Sequence, residues 1–118
     1  MNIKTVEFTA RAKGMLWWKS IELGNRLKSC TQDEVNAIYM HELGHHVNYH
    51  LEKRFLCLLF CPFLLPSLLR KQELEADKYV IEAGLSKGLK SYLQRSTASD
   101  TGFHPSKAER LAQIERYE

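Results

Sequence analysis

Residues 31 to 50 read TQDEVNAIYMHELGHHVNYH, and the architecture turns on how this stretch is read. Thr31 followed three positions later by Glu34 is a capping box, and it stands immediately before an apolar helical pattern that begins at Val35 and Ile38. The pattern predicts a helix from about Gln32 into the low fifties. Four of the five histidines of the chain then fall on that helix between residues 41 and 50, with one glutamate, Glu42, among them.

Residues four apart on a helix share a face, with their β-carbons about 5 to 6 Å apart. His41 and His45 are such a pair. Two imidazoles so placed can each give one nitrogen to a zinc ion at about 2.0 to 2.1 Å, while Glu42, one step round the helix, can reach a water on that zinc. The same residues also suit a histidine-rich, solvated helix face. His46 and His50 are four apart too, but they point about 100° away from the first pair and enclose no glutamate, so surface or packing roles are expected of them. A catalytic zinc normally takes three protein ligands and leaves a fourth position open. Candidates for the third are Glu73, Glu75 and Asp77 in QELEAD, the thiols of Cys57 and Cys61, and His104.

The remaining sequence bounds what such a site could serve. With 118 residues the chain makes one domain, residues 1–118, large enough for a single core without disulfides. The net charge of +3 is mild, with Lys and Arg scattered, which argues against a nucleic-acid partner. Cys30, Cys57 and Cys61 are an odd number, two of them in an apolar run, as suits free thiols in a reducing compartment. The opening MNIKTVEFTA lacks the apolar stretch of a signal peptide, so a cytoplasmic location is expected. In TVEFTARAKGMLWWKSIEL, Val6, Phe8 and Ala10 alternate with polar residues ahead of a turn at Lys13 and Gly14, predicting a β-hairpin. Further helices are expected in RKQELEADKYVIEAG, ending at Gly84, around residues 86 to 95, and after Pro105.

HELGH, then ELEAD beginning 28 positions after His45, then FHPSKAERLAQI together resemble the zinc metalloproteases of the HtpX and CAAX prenyl protease family. The resemblance covers the chain from about residue 15 onward. It implies an α+β fold, a mostly helical zincin-like core of the gluzincin kind preceded by a short hairpin or edge strand, for which MLWWKSIEL is the matching segment. It further implies one Zn2+ held by His41, His45 and Glu73, with Asp77 supporting the site and Glu75 turned outward. The activity implied is that of a zinc-dependent endopeptidase acting on a protein or peptide substrate through a metal-bound water, with Glu42 as general base. His104 or Arg110 in the closing segment is then the candidate to stabilise the oxyanion, with Tyr79 in reserve, and MLWWKSIEL could take substrate as an added β-strand.

Larger members carry transmembrane helices around this core. At the corresponding place between the zinc motifs the chain has the apolar residues 55–69, fewer than the about 20 needed to span a bilayer and interrupted by Pro62 and Pro66. Lys53 and Arg54 precede the run and Arg70 and Lys71 follow it. Core or flap, membrane-surface contact and partner interface are the three roles open to it, the second making the protein peripheral at a membrane. Two other functions remain in view: a non-catalytic, zinc-stabilised regulatory or binding protein, and a repressor-cleaving regulatory metalloprotease.

Overall fold

A computed structural model describes residues 5–6, 10–15, 19–24, 28–95 and 105–117. Three short strands, β1 (Thr5–Val6), β2 (Ala10–Lys13) and β3 (Ser20–Gly24), precede five helices, α1 (Gln32–Val47), α2 (His50–Phe60), α3 (Leu65–Glu82), α4 (Ser86–Arg95) and α5 (Lys107–Tyr117). The chain is thus mostly helical with a small sheet, as an α+β reading requires. Phe8, Trp17, Trp18 and His104 lie outside the described residues.

Helix α1 starts where the capping box puts it. The Thr31 hydroxyl accepts from the Glu34 amide at 3.2 Å and Glu34 Oε1 accepts from the Thr31 amide at 2.9 Å. The same carboxylate reaches α4: Arg95 donates to it through Nε and Nη2, both at 2.8 Å, and the Ser91 hydroxyl at 3.0 Å. A local signal for a helix start thereby becomes a tertiary clamp. Gly88 makes the approach possible, since a Cβ there would lie 2.1 Å from the carbonyl oxygen of Asp33.

The helix expected to run into the low fifties is broken at Asn48 and Tyr49. The Gly44 carbonyl accepts from both the backbone amide and the side-chain amide of Asn48, at 3.1 and 2.9 Å, which closes α1. Tyr49 then adopts a left-handed backbone, φ 56°, and α2 sets off in a new direction. The prolines expected to interrupt the apolar run do so at its tip, Pro62 opening a 3-10 turn over Pro62–Leu64 and Pro66 lying in the first turn of α3. At the other end of α3, Gly84 takes φ 80° and completes a Schellman cap, its amide bonded to the Ile81 carbonyl at 3.0 Å and that of Leu85 to Val80 at 3.1 Å.

The hairpin is present as the antiparallel pair β2 and β3, but the sheet has a third member, β1, parallel to β3, in the order β1-β3-β2. This corrects the edge-strand assignment. The SIEL of MLWWKSIEL is β3, the central strand, and the edge lying against α1 is β2. Edge position is a property of pairing order, which alternation along one strand does not encode.

The apolar core is formed by Ala37, Val80, Leu89, Leu93 and Ile114, drawn from α1, α3, α4 and α5. It anchors one half of α1 and leaves the other half, with its histidines, to polar neighbours.

The Glu34 clamp has a signature in acid. Hydrogen bonds from Arg95 outweigh the opposing effect of burial and hold the Glu34 carboxyl down to about 2, against an ordinary 4.5. A depressed carboxyl stabilises the fold fully above its unfolded pKa and loses that contribution as pH falls toward the folded one. Wild type is expected to lose the stability contributed by this group as pH falls from about 4.5 toward 2. Glu34→Gln should be less stable at neutral pH and show a flatter stability profile over that window, read by chemical denaturation at a series of pH values.

Candidate metal centre

His41, Glu42 and His45 are carried by the second half of α1, where all three are buried. Their ligating atoms lie within 4.8 Å of one another, and the group could hold a metal ion. Helix α3 supplies what lies opposite. Gly44 sets the spacing, because a Cβ there would stand 3.1 Å from Tyr79 Cβ and 3.2 Å from Ala76 Cα, so α1 and α3 meet nearly backbone to backbone. At that separation the Glu73 carboxylate spans both imidazoles, Oε2 at 3.0 Å from His41 Nε2 and Oε1 at 3.3 Å from His45 Nε2.

These distances bear on whether the residues suit zinc. Two donors each about 2.0 to 2.1 Å from a tetrahedral ion are separated by about 3.3 Å. Both Nε2 to carboxylate separations are close to that value, and two imidazoles with one carboxylate form a donor set of the catalytic type. The fit extends to the opposite ring nitrogens. His41 Nδ1 donates to Asp77 Oδ1 at 2.7 Å, and Asp77, fully buried, is itself gripped by Arg110 through Nε at 2.7 Å and Nη2 at 2.9 Å. His45 Nδ1 meets His50 Nδ1 at 2.8 Å. With Nδ1 engaged on each ring, Nε2 is the nitrogen turned toward Glu73.

Charge is distributed accordingly. Burial opposes protonation of His41, but the charge of Glu73 and the hydrogen bond to Asp77 outweigh it and push its pKa up to about 10. Burial likewise raises Glu73, and the charge and hydrogen bonds of His41 with those of His45 more than reverse this, holding it far below the usual carboxylate range. Burial also lowers His45, and burial with the neighbouring His45 brings His50 down to about 3. Glu42 stands apart. Burial raises its pKa, and its Oε2 accepts from the backbone amide of Ala12 in β2 at 2.6 Å.

The structure therefore brings together His41, Glu42, His45, Glu73 and Asp77 as the sequence reading grouped them. It gives Arg110 a different setting from the oxyanion role expected of it, since its guanidinium grips Asp77 on the Nδ1 side of His41, away from Nε2. His104, the other candidate for that role, falls outside the described residues. Cys57 and Cys61 engage each other locally, the thiol of one donating to the carbonyl of the other at 3.2 Å.

His50 is the residue that sequence reasoning passed over. It is wholly buried, bonded to His45, and its Nε2 is 3.7 Å from Glu75 Oε1. Gln72 fixes its backbone by donating to the His50 carbonyl at 3.0 Å. The four-residue spacing from His46 that suggested a shared face fails because the helix ends between them. His46, also buried, bonds through Nε2 to the Ser20 carbonyl at 2.6 Å and joins α1 to β3.

Comparison with protein-family models, with curated proteins and with solved structures finds no match for this chain.

Glu73 and Glu75 supply a direct check. Glu73→Gln should lower zinc affinity on the order of tenfold or more, because a neutral amide oxygen is a poorer donor than a carboxylate. Glu75→Gln should leave affinity within a few fold of wild type. Competition with a chromophoric chelator measures both, and a larger effect at Glu75 would overturn the ligand assignment.

Proposed function

We propose that this chain is a zinc-dependent endopeptidase with a zincin-like core, holding one zinc ion by His41, His45 and Glu73 and using Glu42 as general base. The observation that carries the reading is the division of labour between two carboxylates, Glu42 buried and Glu73 partly buried. Glu73 faces both imidazole Nε2 atoms, while Glu42, on the same helix as the histidines, is held to one side by the Ala12 amide. A structural zinc site has no use for a second carboxylate so placed, and usually closes with Cys or His.

Zinc, when bound, polarises a peptide carbonyl and lowers the pKa of an attacking water toward about 7. The residues of the chain do the remainder. Glu42 takes the proton of the water and delivers it to the leaving amine. Asp77, held by Arg110, keeps His41 with Nδ1 protonated and Nε2 directed inward, and His50 does the same for His45. Strand β2 lies at the sheet edge beside Glu42, so an extended peptide added to that edge would pass the general base. The substrate is accordingly a protein or peptide in extended conformation.

Glu42→Gln separates catalysis from structure. The variant should keep about the zinc content and melting temperature of wild type, since the amide preserves the shape of the side chain. It should lose hydrolysis by about 100 to 10,000-fold, the usual worth of a general base. Zinc analysis, thermal melting and cleavage of a mixed peptide library read by mass spectrometry test this together. Equal cleavage by both proteins would remove the activity from this site, and a wild type that binds zinc without cleaving any peptide would favour a zinc-stabilised binding protein.

A further inference from the structure

Of the apolar residues 55–69, Leu65, Leu68 and Leu69 are partly buried, but the stretch around the tip is neither core nor a covered flap. Helix α2, the 3-10 turn and the start of α3 form a helical hairpin whose end projects Phe55, Leu56, Leu59, Phe60, Phe63 and Leu64 into solvent, Phe60 and Phe63 being 75% and 79% exposed. Contiguous exposed apolar surface of this kind marks an interaction site. We propose that this hairpin is a membrane-surface anchor that inserts its tip among the lipids of an anionic bilayer without crossing it.

Charge identifies the occupant. From Lys53 to Gln72 the chain has four basic residues and no acidic one. Lys53 on α2 and Lys71 on α3 are both exposed, and each stands seven residues back from the tip, at Phe60 and Leu64 respectively. At 1.5 Å per residue both ammonium-bearing positions are about 10 Å behind the apolar end. That matches the about 5 to 10 Å to which an interfacial helix sinks, and sets the lysines level with lipid headgroups. A second copy of the chain docking tip to tip would bring like charges together instead. Crossing is excluded by length, because the 11 residues of α2 extend only about 16 Å against a hydrocarbon core of about 30 Å. No helix among the described residues is long and apolar enough to span a membrane.

Membrane binding by the hairpin requires no proteolysis and is measured separately from it. The full chain is sedimented with vesicles of phosphatidylcholine containing phosphatidylglycerol, and with vesicles of phosphatidylcholine alone. Wild type should bind the anionic vesicles and bind the neutral ones more weakly. Phe60→Ser with Phe63→Ser should weaken binding on the order of tenfold or more at unchanged melting temperature. Lys53→Gln with Lys71→Gln should abolish the preference for anionic lipid. Glu42→Gln should bind as wild type, so that loss of hydrolysis and loss of membrane binding are read independently. Failure of wild type to sediment with anionic vesicles, or undiminished binding by the phenylalanine variant, would overturn the proposal. So would self-association through Phe60 and Phe63 in sedimentation equilibrium without vesicle binding, which would assign the surface to a second copy.

Discussion

Gly44 allows α1 and α3 to touch, and the donor set exists because they do. A side chain at that position would have to share space with the Ala76 backbone and the Tyr79 Cβ. Pushing the helices apart by even an ångström would carry the Glu73 carboxylate out of reach of one imidazole or the other. The contact is also what lets Asp77, one helical turn beyond Glu73, reach the far nitrogen of His41. A single glycine between His41 and His45 thus fixes both the near and the far partners of the two imidazoles.

The interior is arranged in two halves with different chemistry. One end of α1 packs on aliphatic side chains from α3, α4 and α5. The other end is surrounded by His41, Glu42, His45, His46, His50, Gln72 and Asp77, all buried. Burying so many polar groups is unfavourable unless they bond to one another. Here each is bonded through at least one atom, in chains that run Arg110 to Asp77 to His41, and Arg54 to Gln72 to the His50 carbonyl, while His46 Nδ1 and His50 Nε2 are left without a hydrogen-bond partner. The aliphatic half supplies the stability against which the polar half can be held in place.

What was legible in the sequence was what is local or periodic. Thr31 with Glu34, Gly84 and Pro105 signal helix ends through backbone chemistry within a few residues, and each stands at or beside a helix end in the structure. His41 and His45 share a face because any helix would make them do so. Glu73 and Asp77 came from the resemblance of motifs, and their place opposite the histidines follows from helix packing that no local pattern states. Tyr49 was opaque, since tyrosine has no preference for a left-handed backbone, and with that break unseen His50 was assigned to the wrong face. Val6 was read as extended, but the same limit hid its pairing, since the two residues of β1 lie parallel to a strand that only the folded chain brings near.

His45 and Glu73 stand at the two feet of the apolar hairpin, one near the end of α1 ahead of α2 and the other midway along the descending α3. Any bond between them closes a loop of roughly 30 residues, and a cross-link of that span removes unfolded-state entropy worth about 3 to 4 kcal/mol. An ion shared by these two residues would act as a staple across the hairpin, in the manner of a disulfide placed where the chain has none. Its removal would loosen the hairpin as a unit before it disturbed the aliphatic half. With an ion so held, the separation of His45 and Glu73 along the chain would set the order of unfolding, the hairpin coming free first once the ion left.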